Sequence, residues 1–332
     1  MFFEKLGDGK VRCYLCRHHC VIDDGKKGIC RVRENHSGTL YSLVYKKLIS
    51  ENIDPIEKKP FYHFFPGSTA FSIATAGCNF RCVNCQNYEI SQLPKGHGQI
   101  AGRDVEPEKI VKDALNYHCK SIAYTYTEPT IFFEYAYEIA KIASQKAINN
   151  VFVTNGYITR EALTTIKPYL HAANIDLKSF SDETYKKLCG ARLEHVLDCI
   201  RSYKEMGIWI EITTLVIPEI NDSESELRQI AKFIKSVGPE IPWHVSRFCP
   251  TYHLTEKPPT PVDTLRMARE IGLEVGLRYV YEGNVPGEGG EDTYCYTCKK
   301  VLIKRYGHRI IENTITDSKC TACNTTVDGI GF

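Results

Sequence analysis

Three cysteines stand close together in the first third of the chain. Cys78, Cys82 and Cys85 are separated by three and two residues, and the next cysteine is Cys119. Structural zinc sites and electron-transfer 4Fe–4S clusters are usually completed by four protein ligands. A compact triplet therefore predicts a 4Fe–4S cluster with one iron left open for a substrate. The alternatives are a chance grouping of thiols and a zinc site with a distant fourth ligand.

Two further groups of four cysteines lie towards the ends of the chain. The C-terminal group consists of two Cys-x-x-Cys pairs, Cys295, Cys298, Cys320 and Cys323. This is the pattern of a zinc ribbon or a rubredoxin-like knuckle. The N-terminal group consists of Cys13, Cys16, Cys20 and Cys30. Its spacing fits zinc or an auxiliary iron–sulfur cluster, and we favour zinc. Closed sites leave no position for a substrate, so both groups are expected to be structural or to bind a partner.

The composition indicates a soluble, cytoplasmic protein. The chain of 332 residues carries 15 cysteines, and its start has charged residues where a signal peptide would need an apolar stretch. In a reducing compartment such cysteines bind metal more often than they form disulfides. The formal charge is +2 without a long basic run, which disfavours membrane and nucleic-acid partners. A low-potential cluster further predicts an oxygen-sensitive protein that works anaerobically.

Strand-like runs alternate with helical patterns between the first and last cysteine groups. Helices are predicted at residues 106–117, 131–143 and 224–237, and strands at 71–76, 121–126, 150–154, 173–177, 209–217, 242–248 and 277–281. This alternation indicates an α/β fold with a parallel sheet. A closed eight-unit barrel takes about 250 residues, so an open barrel of six or seven units fits best, and a doubly wound sheet is the alternative. In either fold, ligands bind at the carboxyl ends of the strands.

The cysteine groups and the loops divide the sequence into four predicted segments. These are an N-terminal four-cysteine module (residues 1–40), a lead-in segment (41–70), the barrel (71–290) and a C-terminal zinc-ribbon or rubredoxin-like module (291–332). Segments of about 40 residues rarely bury enough apolar surface to fold unaided. We therefore expect bound metal to stabilise both terminal modules.

Several stretches resemble the radical S-adenosylmethionine (SAM) superfamily, and within it the pyruvate formate-lyase activating-enzyme-like group. They are residues 74–80 (ATAGCNF), 124–130 (YTYTEPT), 175–180 (IDLKSF) and 242–248 (PWHVSRF). The branch they resemble best is the radical enzyme of the AmmeMemoRadiSam gene trio. That likeness extends to residues 52–60 (NIDPIEKKP) and to both terminal cysteine groups. The resemblance implies a partial (β/α)6-type barrel with a 4Fe–4S cluster on Cys78, Cys82 and Cys85.

The resemblance also implies a reaction and a set of cofactor contacts. The reduced cluster cleaves SAM to methionine and a 5′-deoxyadenosyl radical, which abstracts hydrogen from a substrate. Glu128 is expected to bind the ammonium group of the methionine part of SAM. Asn155 is expected to lie beside the cofactor, with Asp176 on its carboxylate side and Lys178 on its sugar side. Two further residues are expected to reach the nucleoside and the adenine ring of SAM, His244 and Phe80.

Each of these residues also has a purely structural interpretation. Glu128 precedes Pro129 and is a typical acid at a helix start. Lysines such as Lys178 are usually exposed at strand ends. His244 fits a hydrogen-bonded core histidine. An aromatic residue such as Phe80 can simply cover the cluster. Cys249 follows a predicted strand, where it is either a hydrogen-atom donor to a substrate radical or, as we favour, a buried packing cysteine.

Three functions remain open at this point. The first is a radical enzyme that acts on a small molecule in a pathway shared with the Memo-like and AMME-region-like proteins of the trio. It would take electrons from a ferredoxin- or flavodoxin-like donor. The second is an activating enzyme that abstracts hydrogen from a glycine of a partner protein. The third is a zinc-ribbon adaptor for nucleic acid or protein, which the near-neutral charge and the cysteine triplet disfavour.

Overall fold

The computed structural model describes residues 1–96, 98 and 100–332. The strands that precede and begin the main sheet are β1 (Phe3–Lys5), β2 (Val11–Cys13), β3 (Val21–Ile22), β4 (Arg33–His36), β5 (Thr39–Ser42), β6 (Lys47–Pro55) and β7 (Thr69–Thr75). The later strands are β8 (Arg103–Asp104), β9 (Ser121–Tyr124), β10 (Asn149–Thr154), β11 (Ala172–Asp176), β12 (Trp209–Val216), β13 (Trp243–Arg247), β14 (Val280–Gly283), β15 (Thr293–Tyr294), β16 (Val301–Tyr306) and β17 (Arg309–Asn313).

The helices lie mainly between the strands of the main sheet. They are α1 (Tyr88–Ser91), α2 (Leu93–Gly96), α3 (Pro107–Asn116), α4 (Phe133–Gln145), α5 (Arg160–Ile166), α6 (Asp182–Cys189), α7 (Leu193–Glu205), α8 (Glu224–Val237) and α9 (Val262–Val275). Short 3₁₀ helices cover Ile56–Lys58, Pro129–Phe132 and Lys167–Tyr169.

The main sheet has the strand order β14-β13-β12-β11-β10-β9-β7-β6-β8. From β7 to β14 all neighbouring strands in this order are parallel, whereas β6 is antiparallel to both β7 and β8. The parallel strands therefore follow one another in chain order across the sheet. A doubly wound sheet would reverse direction at a switch point. The predicted α/β fold of partial-barrel type is confirmed, and the doubly wound alternative is wrong.

The strands of the sheet are apolar because both of their faces are covered. Every residue of β9 is buried, and β7 is buried from Ala70 onwards. Such strands have helices on one side and the barrel interior on the other. Their sequences are therefore almost continuously apolar. The seven strands predicted from the sequence correspond to β7 and β9–β14, with shifts only at their ends.

The N-terminal residues form small antiparallel sheets that pack on the barrel. β1, β2 and β3 form one sheet, and β4 and β5 form a hairpin. The guanidinium of Arg33 on β4 donates two hydrogen bonds, of 2.7 and 2.8 Å, to the carboxylate of Glu134 on α4. The side chain of Arg33 is only 3% exposed. A buried bidentate pair of this kind fixes the orientation of the N-terminal residues on the barrel.

The C-terminal residues bridge the two sides of the open barrel. β15, β16 and β17 form an antiparallel sheet. The Arg305 guanidinium donates to the Thr293 hydroxyl at 2.7 Å and to the carbonyl of Tyr62 at 3.1 Å. Tyr62 follows β6 near one edge of the sheet, while the Tyr281 hydroxyl on β14, the other edge strand, lies 2.9 Å from the Thr293 hydroxyl. The C-terminal sheet therefore closes the gap between the edges.

Candidate active site

The central cysteines lie on the loop that follows β7. Cys78, Cys82 and Cys85 are all partly buried. The loop is fixed to the end of α6, because the N–H of Arg81 donates to the carbonyl of Cys189 at 2.9 Å and the N–H of Val83 donates to that of Leu188 at 3.0 Å. Helix α6 itself begins at a Ser181 cap, whose hydroxyl accepts from the Thr184 N–H. The three thiols thus occupy a position set by a neighbouring helix.

Glycine is required at the start of this loop. Gly77 has φ +102°, and a Cβ built there would lie 2.7 Å from Cγ1 of Val32. Residues other than glycine rarely adopt this φ. The N-terminal residues also leave no space for a side chain at this position. The packing of β4 and its preceding turn against the cysteine loop therefore depends on Gly77.

One cavity contains the cysteine triplet and the residues predicted to contact SAM. Its volume is about 630 Å³, a size typical of small-molecule sites. It lies at the carboxyl ends of the parallel strands, as expected for a barrel. The predicted site residues on its wall are Cys78, Phe80, Cys82, Cys85, Glu128, Asn155, Asp176, Lys178 and His244.

Glu128 is both a helix cap and a cavity residue. Its Oε1 accepts hydrogen bonds from the N–H of Thr130 at 3.0 Å, the hydroxyl of Thr130 at 2.6 Å and the hydroxyl of Thr154 at 2.8 Å. Its Oε2 accepts from the N–H of Asn155 at 2.8 Å. Burial raises the pKa of Glu128. The Oε2 atom retains acceptor capacity, since a carboxylate oxygen can accept more than one bond.

Asn155 connects Glu128 to the cysteine loop. Its amide nitrogen Nδ2 donates to Oδ1 of Asn79 at 2.8 Å and lies 3.9 Å from the sulfur of Cys78. Its Oδ1 is buried and has no hydrogen-bond partner among the described residues. A buried amide oxygen without a protein partner is usually satisfied by a bound water or ligand.

Asp176 and Lys178 form an ion pair at the end of β11. Nζ of Lys178 lies 2.7 Å from Oδ2 of Asp176, and the two side chains are 20% and 35% exposed. Burial opposes the charge on Lys178, but Asp176 and the nearby thiols raise its pKa overall. Lys178 is therefore not the freely exposed strand-end lysine of the structural interpretation. The pair presents one positive and one negative group to the cavity.

His244 and Phe80 are more deeply involved in packing. Nε2 of His244 lies 2.7 Å from Oε2 of the buried Glu211, so His244 is a hydrogen-bonded core histidine that also faces the cavity. Burial opposes the ionisation of Glu211, yet His244 lowers its pKa overall. The ring of Phe80 packs edge-on against Tyr157, with centroids 5.0 Å apart. Both residues combine a structural contact with a place on the cavity wall.

A tyrosine two residues before Glu128 adopts a backbone conformation that is usual for glycine, and its environment explains how it fits. Tyr126 adopts φ +61°, a conformation that is uncommon outside glycine. Its hydroxyl donates to Oδ2 of Asp54 at 2.5 Å, and the ammonium of Lys59 lies 4.1 Å from its ring centroid. Lys59 is itself paired with Asp54 at 2.7 Å. The stretch NIDPIEKKP of the lead-in segment therefore supports the turn that precedes Glu128, a role that sequence reasoning missed.

Replacing Asp54 with alanine is expected to destabilise the protein by about 3–5 kcal/mol, because it leaves the buried Lys59 ammonium without its counter-charge. The Lys59 side chain is 3% exposed, whereas Lys58, which also pairs with Asp54, is 50% exposed. Lys58→Ala is thus the matched control, with an expected cost below about 1 kcal/mol. Urea denaturation followed by circular dichroism measures both differences. Equal effects of the two substitutions would contradict the importance of the buried pair.

The cavity wall also carries titratable side chains that the sequence analysis did not single out. Glu57, Glu282, Glu291 and His308 lie there, and the last two belong to the C-terminal residues. Burial raises the pKa of Glu57 and of Glu282. Oε2 of Glu57 is buried and has no hydrogen-bond partner among the described residues. No local sequence signal points to these residues, because chain segments far apart in sequence bring them together.

The C-terminal cysteines converge in the geometry of a metal site. The four sulfurs all lie within 4.8 Å of one another. The Cys295–Cys323 and Cys298–Cys320 sulfur pairs are each 3.6 Å apart. A tetrahedron with Zn–S bonds of ~2.3 Å has sulfurs ~3.8 Å apart. The hydroxyl of Thr325 lowers the pKa of Cys323, which favours the thiolate form that binds metal.

The isolated cysteines differ in their surroundings. Cys119, Cys189 and Cys199 are buried, as expected for packing residues. Cys249 is exposed, so the expectation of a buried packing cysteine is wrong there. It follows the end of β13 and points away from the core. Cys249 is also not among the described residues that line the cavity.

The cavity fits the cofactors that the cysteine triplet suggests. Three partly buried thiols share one wall with a buried carboxylate, an unpartnered amide oxygen and an ion pair. This set offers thiolates to iron and complementary groups to an amino-acid ligand. The fold and the site together define an enzyme of the radical SAM class.

Comparisons with known proteins give the same result. Residues 72–234 match the model of the radical SAM superfamily. An uncharacterized protein of Methanocaldococcus jannaschii, MJ0808, is 47% identical over 99% of this chain and 98% of its own length. The pyruvate formate-lyase-activating enzyme of Clostridium pasteurianum is 23% identical over 48% of this chain and 67% of its own. The chain belongs to the radical SAM superfamily, and this membership implies a 4Fe–4S cluster and SAM.

A solved structure shares the fold. Streptococcus suis SuiB bound to S-adenosylmethionine superposes with a TM-score of 0.51 at 14% identity, covering 69% of this chain and 53% of that one. At this identity the likeness concerns the fold alone. Among the helices that the structure describes, none has the length and apolar character needed to cross a bilayer.

Proposed function

We propose that this chain is a radical SAM enzyme whose 4Fe–4S cluster is held by Cys78, Cys82 and Cys85. The observation that supports this most is that the three thiols share one cavity with every residue assigned to the cofactor. The bound cluster and SAM supply the 5′-deoxyadenosyl radical. The protein's own task is to orient SAM and to keep water and oxygen away from the cluster.

We infer that the polar residues of the cavity hold SAM by its charged end. Oε2 of Glu128 is free to accept from the methionine ammonium, next to the unpartnered Oδ1 of Asn155. The Asp176–Lys178 ion pair is proposed to lie along the cofactor, with Asp176 on the carboxylate side of the methionine part and Lys178 on the side of the sugar. His244 and Phe80, which are almost fully buried, are proposed to reach the nucleoside and the adenine ring from the cavity wall. Charge-assisted bonds of this kind both bind and orient a ligand.

The substrate is proposed to be a small molecule. Part of the cavity wall is formed by the C-terminal residues Glu291, Gly307 and His308. Because these residues narrow the space beside the proposed cofactor position, we infer that a small molecule enters more easily than a partner protein. We place the chain in the AmmeMemoRadiSam branch, with the Memo-like and AMME-region-like proteins as pathway partners and a ferredoxin- or flavodoxin-like protein as electron donor.

An activating enzyme for a glycyl-radical protein is the second candidate. It is favoured by the similarity to the activating enzyme of Clostridium pasteurianum and to the isethionate sulfite-lyase activating enzyme of Nitratidesulfovibrio vulgaris, which is 23% identical over 41% of this chain. In that case a loop of a partner protein, and not a small molecule, would enter the cavity.

Fractionated cell extract separates the two candidates. The reduced enzyme and SAM are incubated with either the low-mass or the protein fraction of an extract of the source cells. Stimulation of 5′-deoxyadenosine formation by the low-mass fraction is the result that we expect. A glycyl-radical signal in electron paramagnetic resonance with the protein fraction, and no stimulation by small molecules, would refute the small-molecule proposal.

We propose structural zinc for the C-terminal cysteines. Replacing Cys320 with alanine is expected to remove one zinc per chain and to lower the melting temperature, because a closed zinc site contributes folding energy. Zinc analysis of purified protein and a thermal melt measure the two effects. Cys249→Ala, which removes an exposed cysteine, is the control and should change neither. Unchanged zinc in Cys320→Ala would exclude this site.

We retain the four proposed segments, residues 1–40, 41–70, 71–290 and 291–332. The lead-in segment supplies the Asp54–Lys59 pair beside Tyr126, and the C-terminal module supplies Arg305 to the Tyr62 carbonyl. Because these contacts join segments, the modules are proposed to act as one unit with the barrel.

A further inference from the structure

Glu211 on β12 is a carboxylate buried inside the barrel, with a side chain that is 0% exposed. Its Oε1 accepts hydrogen bonds from the N–H of His63 at 2.9 Å and from the indole N–H of Trp209 at 3.2 Å. Its Oε2 accepts from the N–H of Tyr62 at 3.0 Å and lies 2.7 Å from Nε2 of His244. Burial opposes the ionisation of Glu211, but these donors lower its pKa overall and so favour the ionised carboxylate.

The ionised state of Glu211 determines which ring nitrogen of His244 carries a proton in their contact. An ionised carboxylate can only accept hydrogen bonds, so Nε2 of His244 is the donor to Oε2 of Glu211. His244 also lines the large cavity. Because Nε2 is occupied by Glu211, Nδ1 is the ring nitrogen that remains for a ligand.

Two tyrosine rings hold the imidazole of His244 in this orientation. The ring of Tyr281 stacks on it at an interplanar angle of 27°, with centroids 5.3 Å apart. The ring of Tyr62 meets it edge-on, with centroids 4.8 Å apart. A flip of the imidazole would place a C–H group against the buried carboxylate of Glu211, which is unfavourable in the protein interior. The ring of His244 is therefore confined to one orientation.

We propose that Glu211 is a positioning residue for SAM: it keeps the Nε2 proton of His244 in place and so presents Nδ1 to the nucleoside of the cofactor. This role rests on the proposed contact between His244 and the nucleoside. Glu211 lies on the strand next to that of His244 and is not among the described residues that line the cavity, so it acts through His244. Partners of this kind fix the tautomer and the ring orientation of histidines that bind ligands.

Glu211 also has a structural task, which the experiments below separate from positioning. It accepts hydrogen bonds from the backbone of Tyr62 and His63 in the lead-in segment. The carbonyl of Tyr62 in turn accepts from the guanidinium of Arg305 at 3.1 Å, so Glu211 contributes to the docking of the C-terminal sheet. Glutamine at position 211 keeps the volume but removes the charge and one acceptor oxygen. A loss of stability alone would therefore not distinguish positioning from packing.

NMR spectroscopy of the unmodified protein tests the hydrogen bond directly. The histidine rings are labelled with ¹⁵N, the protein is reconstituted and kept oxidised, and the signals that disappear in His244→Gln are assigned to His244. We expect Nε2 of His244 to show the chemical shift of a protonated nitrogen at neutral pH. A bare Nε2, with the proton on Nδ1 alone, would overturn the proposal. This result is independent of the proposed function, because no SAM is present.

The affinity for SAM tests the consequence of this bond. Glu211→Gln is expected to weaken equilibrium binding of SAM by about two- to tenfold, the range that corresponds to one hydrogen bond. The double variant Glu211→Gln/His244→Gln should bind SAM no more weakly than His244→Gln alone, because Glu211 acts through His244. A Glu211 that served only the packing of the barrel would weaken binding equally in both backgrounds.

Trp209→Phe is the matched control for the affinity measurements. It removes one donor to Oε1 of Glu211 but leaves Oε2 with His244, so its SAM affinity should equal that of the unmodified protein. Full affinity in Glu211→Gln, or a further loss in the double variant, would overturn the positioning role. Full affinity in His244→Gln would refute the proposed nucleoside contact and the positioning role with it. If Glu211→Gln is too unstable to purify, the NMR measurement still decides, because it leaves Glu211 unchanged.

Discussion

Alanine at Cys82 is expected to abolish the formation of 5′-deoxyadenosine from SAM. With two remaining thiols, the cluster loses one of its three protein ligands and is not retained, so no electron reaches SAM. Cys82 is packed beside Cys189 and lies on a loop bonded to α6, which keeps the rest of the loop in place after the substitution. The C-terminal site is far along the chain and should keep its metal.

The measurement compares 5′-deoxyadenosine by mass spectrometry in unmodified protein, Cys82→Ala and Cys249→Ala. The control removes an exposed thiol outside the cysteine groups and should retain full activity. Zinc content should be the same in all three proteins. Full cleavage of SAM by Cys82→Ala would remove the assignment of the cluster to the triplet.

Alanine at Glu128 is expected to weaken SAM binding by about tenfold or more. A hydrogen bond between a carboxylate and an ammonium group contributes about 1.5–3 kcal/mol, and each 1.4 kcal/mol is about tenfold in affinity. The carboxylate is held by Thr130, Thr154 and the Asn155 N–H, so it meets the ligand with little loss of side-chain freedom. Equilibrium binding of SAM to the oxidised, reconstituted protein measures the change.

Thr154→Val separates binding from positioning. It removes one hydrogen bond to Oε1 of Glu128 but leaves the charge and Oε2 in place, so its SAM affinity should stay close to that of the unmodified protein. Unchanged affinity in Glu128→Ala would place the ammonium contact elsewhere. Equal weakening in both variants would indicate that Glu128 acts only through the shape of the turn.

The sequence was sufficient for features that depend on short spacing. The three thiols of the triplet lie within a stretch of eight residues, and the strand before Cys78 and the strand that begins at Asn149 are marked by apolar runs. The same holds for the paired cysteines of the C-terminal group. In each case the residues that determine the feature are neighbours along the chain, so local pattern and structure agree.

Long-range contacts could not be predicted in the same way. The bond from Tyr126 to Asp54 joins residues 72 positions apart, and it supports a turn with the positive φ that glycine usually adopts. The contact of His244 with Glu211 on the neighbouring strand is equally invisible in the local sequence. Glu57 and His308 reach the cavity from opposite ends of the chain. These contacts depend on the strand order and on how the terminal modules pack on the barrel. Neither can be predicted from the local hydrophobic pattern.

The most direct test of the central claim uses the unmodified protein. It is purified without oxygen, reconstituted with iron and sulfide, reduced with dithionite and mixed with SAM, and 5′-deoxyadenosine is measured by mass spectrometry. We predict that 5′-deoxyadenosine forms, and that low-mass cell extract increases its rate. A verified, reduced 4Fe–4S cluster that binds SAM but yields no 5′-deoxyadenosine, with either extract fraction present, would contradict the account.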